Sequence, residues 1–239
     1  MHRAHHSWHS PALGRTMELL VFGHAGAPVL VFPTSRGRYF EYEDRGMVAA
    51  LSGPIAQGNI QLICVDSVDE ESWYNYGAHP RHRLWRHDCY EHYLIDEVLP
   101  FVRAQNSNPF VMTHGCSFGA IHAMLLALRH PAHFRRVVAL SGLYDLRRFL
   151  GGYYDEDVYY HNPVDFVVGL QEGQLTSDIR RLEIIMAIGH DDAAADSNTR
   201  LSQALWDKNI WHAMRWWDGW AHDWPYWAKM VQIYVNGAD

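Results

Sequence analysis

Short apolar runs that end in turn residues recur six times along this chain, separated by amphipathic stretches of helical length. This rhythm restricts the fold more than any other feature. The runs cover residues 29–32, 60–65, 110–113, 137–140, 182–188 and 212–217, and each resembles a strand buried on both faces. The stretches between them fall at roughly 47–57, 81–103, 118–129, 196–208 and 225–235. Strand and helix in alternation predict an α/β fold, a mostly parallel sheet with helices on both faces. Two further strands, residues 7–10 and 15–23, are hinged by Pro11 and Gly14 and pair antiparallel at the sheet edge, which brings the expected sheet to about eight strands.

No repeat, Ser/Gly-rich linker or low-complexity tract divides the 239 residues, so one domain over residues 1–239 is expected. Residues 144–173 break the rhythm. This acidic segment has little periodicity but holds seven Tyr and Phe residues, a composition that favours an ordered insertion, read as a short aromatic cap over a pocket.

Composition narrows the partners. With 20 Lys and Arg against 27 Asp and Glu the formal net charge is −7, which argues against nucleic acid or an anionic membrane as partner. The longest unbroken apolar run, residues 123–128, is far too short to span a bilayer, and the first residues lack the apolar core of a secretory signal. A cytoplasmic location is therefore expected. Three scattered cysteines, Cys64, Cys89 and Cys116, suit a reducing compartment. Ten Trp residues, many of them after Trp206, favour aromatic-lined pockets and would make a homo-oligomer unsurprising.

Gly115-Cys116-Ser117-Phe118-Gly119 carries the chemistry. It follows an apolar run and precedes a helical one, so this GxSxG sits at a strand-to-helix corner, the setting of a nucleophile elbow. There the glycines let strand and helix cross closely while the Ser backbone is held in a strained turn that projects its hydroxyl. A Ser hydroxyl needs a base, and in this architecture an acid and then a His follow it in the chain. The run 182–188 ends in Gly189-His190-Asp191-Asp192, placing two carboxylates past the end of a strand, and Asp192 is preferred to Asp191 as farther round the turn. Asp196 reads instead as the N-cap of the next helix. Of 17 His residues, His222 alone follows the last strand and its turn and precedes a helix, where the base belongs. An oxyanion needs two preset donors: the backbone N–H of Phe118 and one from Thr34 or Ser35 in the loop after residues 29–32. Ser35, Trp73, Tyr74, Tyr153 and Tyr154 are candidates for the substrate pocket. Cys116 is read as a packing residue. Neither His2, His5, His6 and His9 nor His79, His82, His87 and His92 show a metal-ligand pattern, so both sets are expected to be solvated and no metal is expected.

These pieces resemble a known family nearly end to end. The paired strands with Ser10-Pro-Ala-Leu-Gly-Arg, the segment Phe32-Pro-Thr-Ser, the elbow, Asn162-Pro163, Gly189-His-Asp-Asp and His222-Asp-Trp-Pro-Tyr-Trp are similar to the Putative esterase family of α/β-hydrolases. That group includes esterase D-like S-formylglutathione hydrolases, feruloyl esterases and antigen 85 mycolyltransferases. The resemblance implies an α/β-hydrolase fold and a serine carboxylic-ester or thioester hydrolase acting on a small-molecule ester through Ser117, His222 and Asp192, with no cofactor. It places the acid three residues after Gly189, at Asp192, and the first oxyanion donor at Thr34. Two departures stand out: Ala221 occupies a position that is often Gly, and the Cys/Trp-rich substrate loops of better-known members are unmatched. An acyltransferase with the same triad and a non-catalytic binding protein on the same fold are the alternative readings.

Overall fold

The computed structural model describes residues 1–235. Eight strands are present: β1 (Arg3–Ser10), β2 (Arg15–Phe22), β3 (Ala27–Phe32), β4 (Ile60–Val65), β5 (Met112–Cys116), β6 (Arg136–Leu140), β7 (Glu183–Gly189) and β8 (His212–Trp217). They form one sheet in the order β1-β2-β4-β3-β5-β6-β7-β8. β1 and β2 pair antiparallel, β2 pairs antiparallel with β4, and the remaining pairs are parallel. The turn at Gly14 takes φ +63°, which makes the tight β1–β2 return possible. This is the mostly parallel α/β sheet expected from the alternation, antiparallel edge included, and the α/β-hydrolase architecture that the resemblance implies.

Apart from the edge strand β8, whose second half is partly exposed, the parallel strands are buried on both sides, and their residues divide by period two between two cores. Leu30, Phe32, Ile63 and Val65 face one core, shared with helices Phe118–Arg129, Leu99–Gln105 and Ala195–Asp207. Val29, Val31, Leu62 and Cys64 face the other, closed by Met47–Ala50, Ser52–Ala56 and Trp224–Tyr234. Among the described residues no helix is long and apolar enough to cross a membrane. The connection from β3 runs to one side of the sheet and the next, from β4, back across it to β5. The carboxyl ends of β3 and β5 therefore border the crevice where such sheets hold their ligands.

Several local expectations needed correction. The single helix expected over 47–57 is two short ones, preceded by Glu41–Asp44, with Gly46 at φ +77° turning the chain ahead of Met47. The helix expected over 81–103 contains a π-helical turn at Tyr93–Val98, which accommodates Pro100 by widening the ladder where its missing N–H and ring would break α geometry. The strand expected at 110–113 lies two to three residues later. Asn106 and Asn108 side chains accept from the amides of Asn108 and Phe110 and hold that entry in a bend. Residues 144–173 are not an aperiodic loop but contain helices Arg147–Leu150, Glu156–His161 and Pro163–Gly169, with the Asp155 carboxylate capping the second through Val158 N at 3.0 Å. Asp196 is no N-cap: its helix begins at Ala195, and the exposed Asp196 pairs with Arg200.

Two predictions follow from this packing. A Cβ on Gly119 would stand 2.5 Å from Phe32 O and 2.6 Å from Pro33 O, whereas one on Gly53 would meet nothing within 4 Å. Gly119→Ala is expected to destabilise by about 3 kcal/mol, a fall of roughly 6–12 °C in Tm, while Gly53→Ala leaves Tm unchanged or slightly raised; equal Tm values for the two variants would contradict the crossing. His114 is fully buried on β5, and burial lowers its pKa from 6.5 to about 4. Between those values the unfolded chain holds a proton that the folded chain does not, so this contribution is intact above pH 6.5 and declines as pH falls toward 4. Burial lowers the pKa of His87 and His212 too. Differential scanning calorimetry should show Tm dropping from pH 7 to pH 5; a flat profile would refute the account.

Candidate active site

β5 ends at Cys116, and Ser117 turns directly into helix Phe118–Arg129 with φ 54° and ψ −119°. A non-glycine residue in that region is strained, at a cost of about 1–3 kcal/mol. The glycines on either side are required by contact, since a Cβ on Gly115 would lie 2.2 Å from the carbonyl of Gly119. Cys116 points into the core on the opposite face, where burial pushes its thiol pKa up, so it is a packing residue as the sequence indicates.

Two loops from the neighbouring part of the sheet reach Ser117. After β7, Asp192 turns back with its amide on Gly189 O, and its buried carboxylate accepts from Ala194 N at 2.8 Å. After β8, the chain passes Gly219 and Trp220 so closely over the end of β7 that a Cβ on Gly189 would lie 2.2 Å from Trp220 O. Ala221 then takes φ +45°, and His222 is delivered between the two. Its Nδ1 lies 2.6 Å from Asp192 Oδ2 and its Nε2 lies 3.0 Å from Ser117 Oγ. A carboxylate only accepts, so Nδ1 carries the proton and the Nε2 lone pair faces the Ser hydroxyl. Trp220 stacks on the imidazole at 5.6 Å and Trp227 meets it edge-on at 5.3 Å. Asp191 is exposed and joins this arrangement only through its amide, bound to Gly219 O.

The loop after β3 stands across from Ser117 and is held by two carboxylates. Glu41 accepts from both the amide and the hydroxyl of Thr34, each at 2.8 Å. Asp69 accepts from the amide of Arg36 at 2.9 Å. Thr34 N–H is thus committed to Glu41 and is no free donor, which corrects the expectation for it. Ser35, between the two gripped residues, lines the cleft. Phe118 N–H, at the first helical position, has no acceptor within its own helix. Asp69 is itself the end of a buried chain: His122 donates to it at 2.9 Å, and His87 Nε2 meets His122 Nδ1 at 3.1 Å. His87 is therefore not solvated as expected but 2% exposed.

The cleft has a volume near 210 Å³. Phe118, Ile121 and Phe149 give it an apolar lining, and Tyr74, Leu143, Arg148 and Trp220 stand around it. Of the expected pocket residues, Ser35 and Tyr74 line it and are joined by a 2.8 Å hydrogen bond. Trp73, 1% exposed, packs behind it against Phe118 and Phe149. Tyr153 and Tyr154 bond to Asp155 and Asp165 and do not line it. Sequence reasoning missed Glu41, Asp69, Arg148, Phe149 and Trp220; none carries a motif, and only their placement marks them. A different buried group, His87, Glu91 and His161, brings ligand atoms within 4.8 Å of one another. Arg129 already supplies the cation there, 2.9 Å from Glu91 and 3.1 Å from His161.

Comparison with known proteins bears on the family and the fold. The profile of the Putative esterase family matches residues 49–234. Among solved structures, a ferulic acid esterase superposes with a TM-score of 0.80 at 18% identity, covering 99% of this chain and 97% of its own. The S-formylglutathione hydrolase FrmB from Staphylococcus aureus gives 0.70 at 14% identity, covering 99% of each chain. The Staphylococcus aureus fluorophosphonate-binding serine hydrolase FphF, with substrate bound, gives 0.74 at 16% identity, covering 99% and 97%. A search of curated proteins found no significant match. With more than three quarters of the chain spanned by the family profile, this protein belongs to the Putative esterase family of α/β-hydrolases and is an esterase.

Proposed function

We propose that the protein is a serine carboxylic-ester hydrolase whose triad is Ser117, His222 and Asp192, working as one domain in which residues 144–173 form a partial cap. The observation that carries this reading is the continuous hydrogen-bonded line from Ser117 through His222 to Asp192, at 3.0 and 2.6 Å, built on a strained turn. Ser117 Oγ attacks the ester carbonyl while its proton passes to His222 Nε2, and Asp192 stabilises the resulting imidazolium. The carbonyl oxygen becomes an oxyanion facing the amides of Phe118 and Ser35, with Glu41 and Asp69 holding the loop on both sides of Ser35. On collapse, His222 returns the proton to the leaving alcohol or thiol and an acyl-enzyme remains. Water deprotonated by His222 then releases the acid and regenerates Ser117. A cleft near 210 Å³ suits a short acyl group, and oxygen esters and thioesters, named for structural neighbours, are the first classes to screen.

A fluorophosphonate probe followed by peptide mapping tests the nucleophile: label on Ser117, lost in His222→Ala, is the expected result, and an unreactive folded protein would overturn the reading. Ser117→Ala and His222→Ala should lower turnover by several orders of magnitude with Tm little changed. Asp192→Asn should lower kcat about 10⁴-fold and Asp191→Asn hardly at all; the opposite ranking would move the acid to Asp191. For the loop, Glu41→Gln and Asp69→Asn should each reduce kcat by roughly 10–100-fold with a smaller change in KM, since loosening a preset donor harms the transition state most. Unchanged kcat in both variants would remove the clamp from the mechanism.

A further inference from the structure

The cleft contains one charge that the chemistry above does not use. Arg148 lines it together with Ser117 and His222, and its guanidinium lies 5.2 Å from the Phe149 ring centroid. It is exposed, and among the described residues no carboxylate pairs with it. The neighbouring arginines differ. Asp145 takes Arg147 at 2.5 Å and Arg200 at 2.9 Å, and Asp196 takes Arg200 at 3.0 Å. Three guanidiniums thus stand over two carboxylates, and the unmatched charge is the one inside the cleft. The other nearby acids are occupied: Asp192 by His222 and Ala194 N, Asp165 by Tyr154 and Asn162.

The position of Arg148 adds direction. A second depression of about 260 Å³ adjoins the cleft and shares Leu143, Arg148 and Ala193 with it. A substrate with its ester carbonyl at Ser117 and its remainder in this depression passes the guanidinium. The chain as a whole carries −7 and repels anions, so a free cation at this one point has selective value. A guanidinium offers paired donors that match a carboxylate.

We propose that Arg148 binds a carboxylate on the substrate, so that the preferred substrates are esters carrying a negative charge in the portion that leaves the cleft toward Arg200. This rests on Ser117 being the nucleophile. The test compares kcat/KM for matched charged and neutral esters. One pair carries the charge on the acyl side, mono-para-nitrophenyl glutarate against para-nitrophenyl valerate, and another on the leaving group, para-acetoxybenzoate against its methyl ester. Wild type should favour the anion in one pair, which identifies the side that lies over Arg148. Arg148→Gln should lower that charged-to-neutral ratio about tenfold, Arg148→Lys should keep most of it, and added salt should shrink it in wild type. A ratio that stays within twofold in Arg148→Gln, or a loss shared equally by charged and neutral esters, would overturn the proposal. Binding of the same esters to Ser117→Ala, read by tryptophan fluorescence, separates the two claims. An Arg148-dependent preference in binding without any wild-type turnover sinks the triad alone; intact turnover without the preference sinks Arg148 alone.

Discussion

The approach of Gly119 to the carbonyls of Phe32 and Pro33 is the contact on which the rest of the site depends. It brings the start of the helix that follows Ser117 against the end of β3, with no room for a side chain between them. One crossing thereby sets three things: the twisted conformation of Ser117, the outward direction of the Phe118 amide, and the distance from both to the loop bearing Ser35. The strained Ser117 is tied to the sheet by its amide on Leu140 O at 2.8 Å, so opening the turn would also break a hydrogen bond to β6. Strain at one residue is held by packing spread over the two cores.

A second constraint is electrostatic. Asp69, His122 and His87 are buried together, and each hydrogen bond in the series fixes the next. The carboxylate requires a proton on His122 Nε2, which leaves Nδ1 to accept from His87 Nε2. The series ends at His87 Nδ1, which makes no hydrogen bond and lies 3.6 Å from Glu91 Oε1, and burial pushes the pKa of this imidazole well down. The polar chain joins the helix after Ser117 to the loop after β3, so it braces the same crevice that the glycine contact closes.

The parts of this arrangement that a sequence can display are those built from neighbours in the chain. Gly115 to Gly119 reads as an elbow because strand, turn and helix are contiguous, and Gly189 to Asp192 and Asp218 to His222 read as loops leaving strands for the same reason. The choice of Asp192 over Asp191 by its place in the turn agrees with the geometry, since only Asp192 reaches His222. Contacts between distant segments were not legible. Nothing in the run around Thr34 announces that Glu41 will occupy its amide, and nothing near His87 foretells His122. Aromatic character alone could not separate Trp73, packed behind the cleft, from Tyr74, which lines it. Residues 144–173 hid their helices because these are short and lack a regular apolar period, although Asp155 and Pro163 mark two of the starts.

The clamp around Ser35 grips main-chain atoms on each side of it and leaves the Ser35 side chain itself ungripped by either carboxylate. Any residue but proline at position 35 would present the same amide to the same place. Variation there, like variation at Arg148, which also lines the cleft, changes the shape and charge of the cleft while the backbone geometry beside Ser117 stays put. The fold thus separates the side chains that shape the cleft from the main-chain atoms that stand beside Ser117, so the one set can change while the other keeps its place.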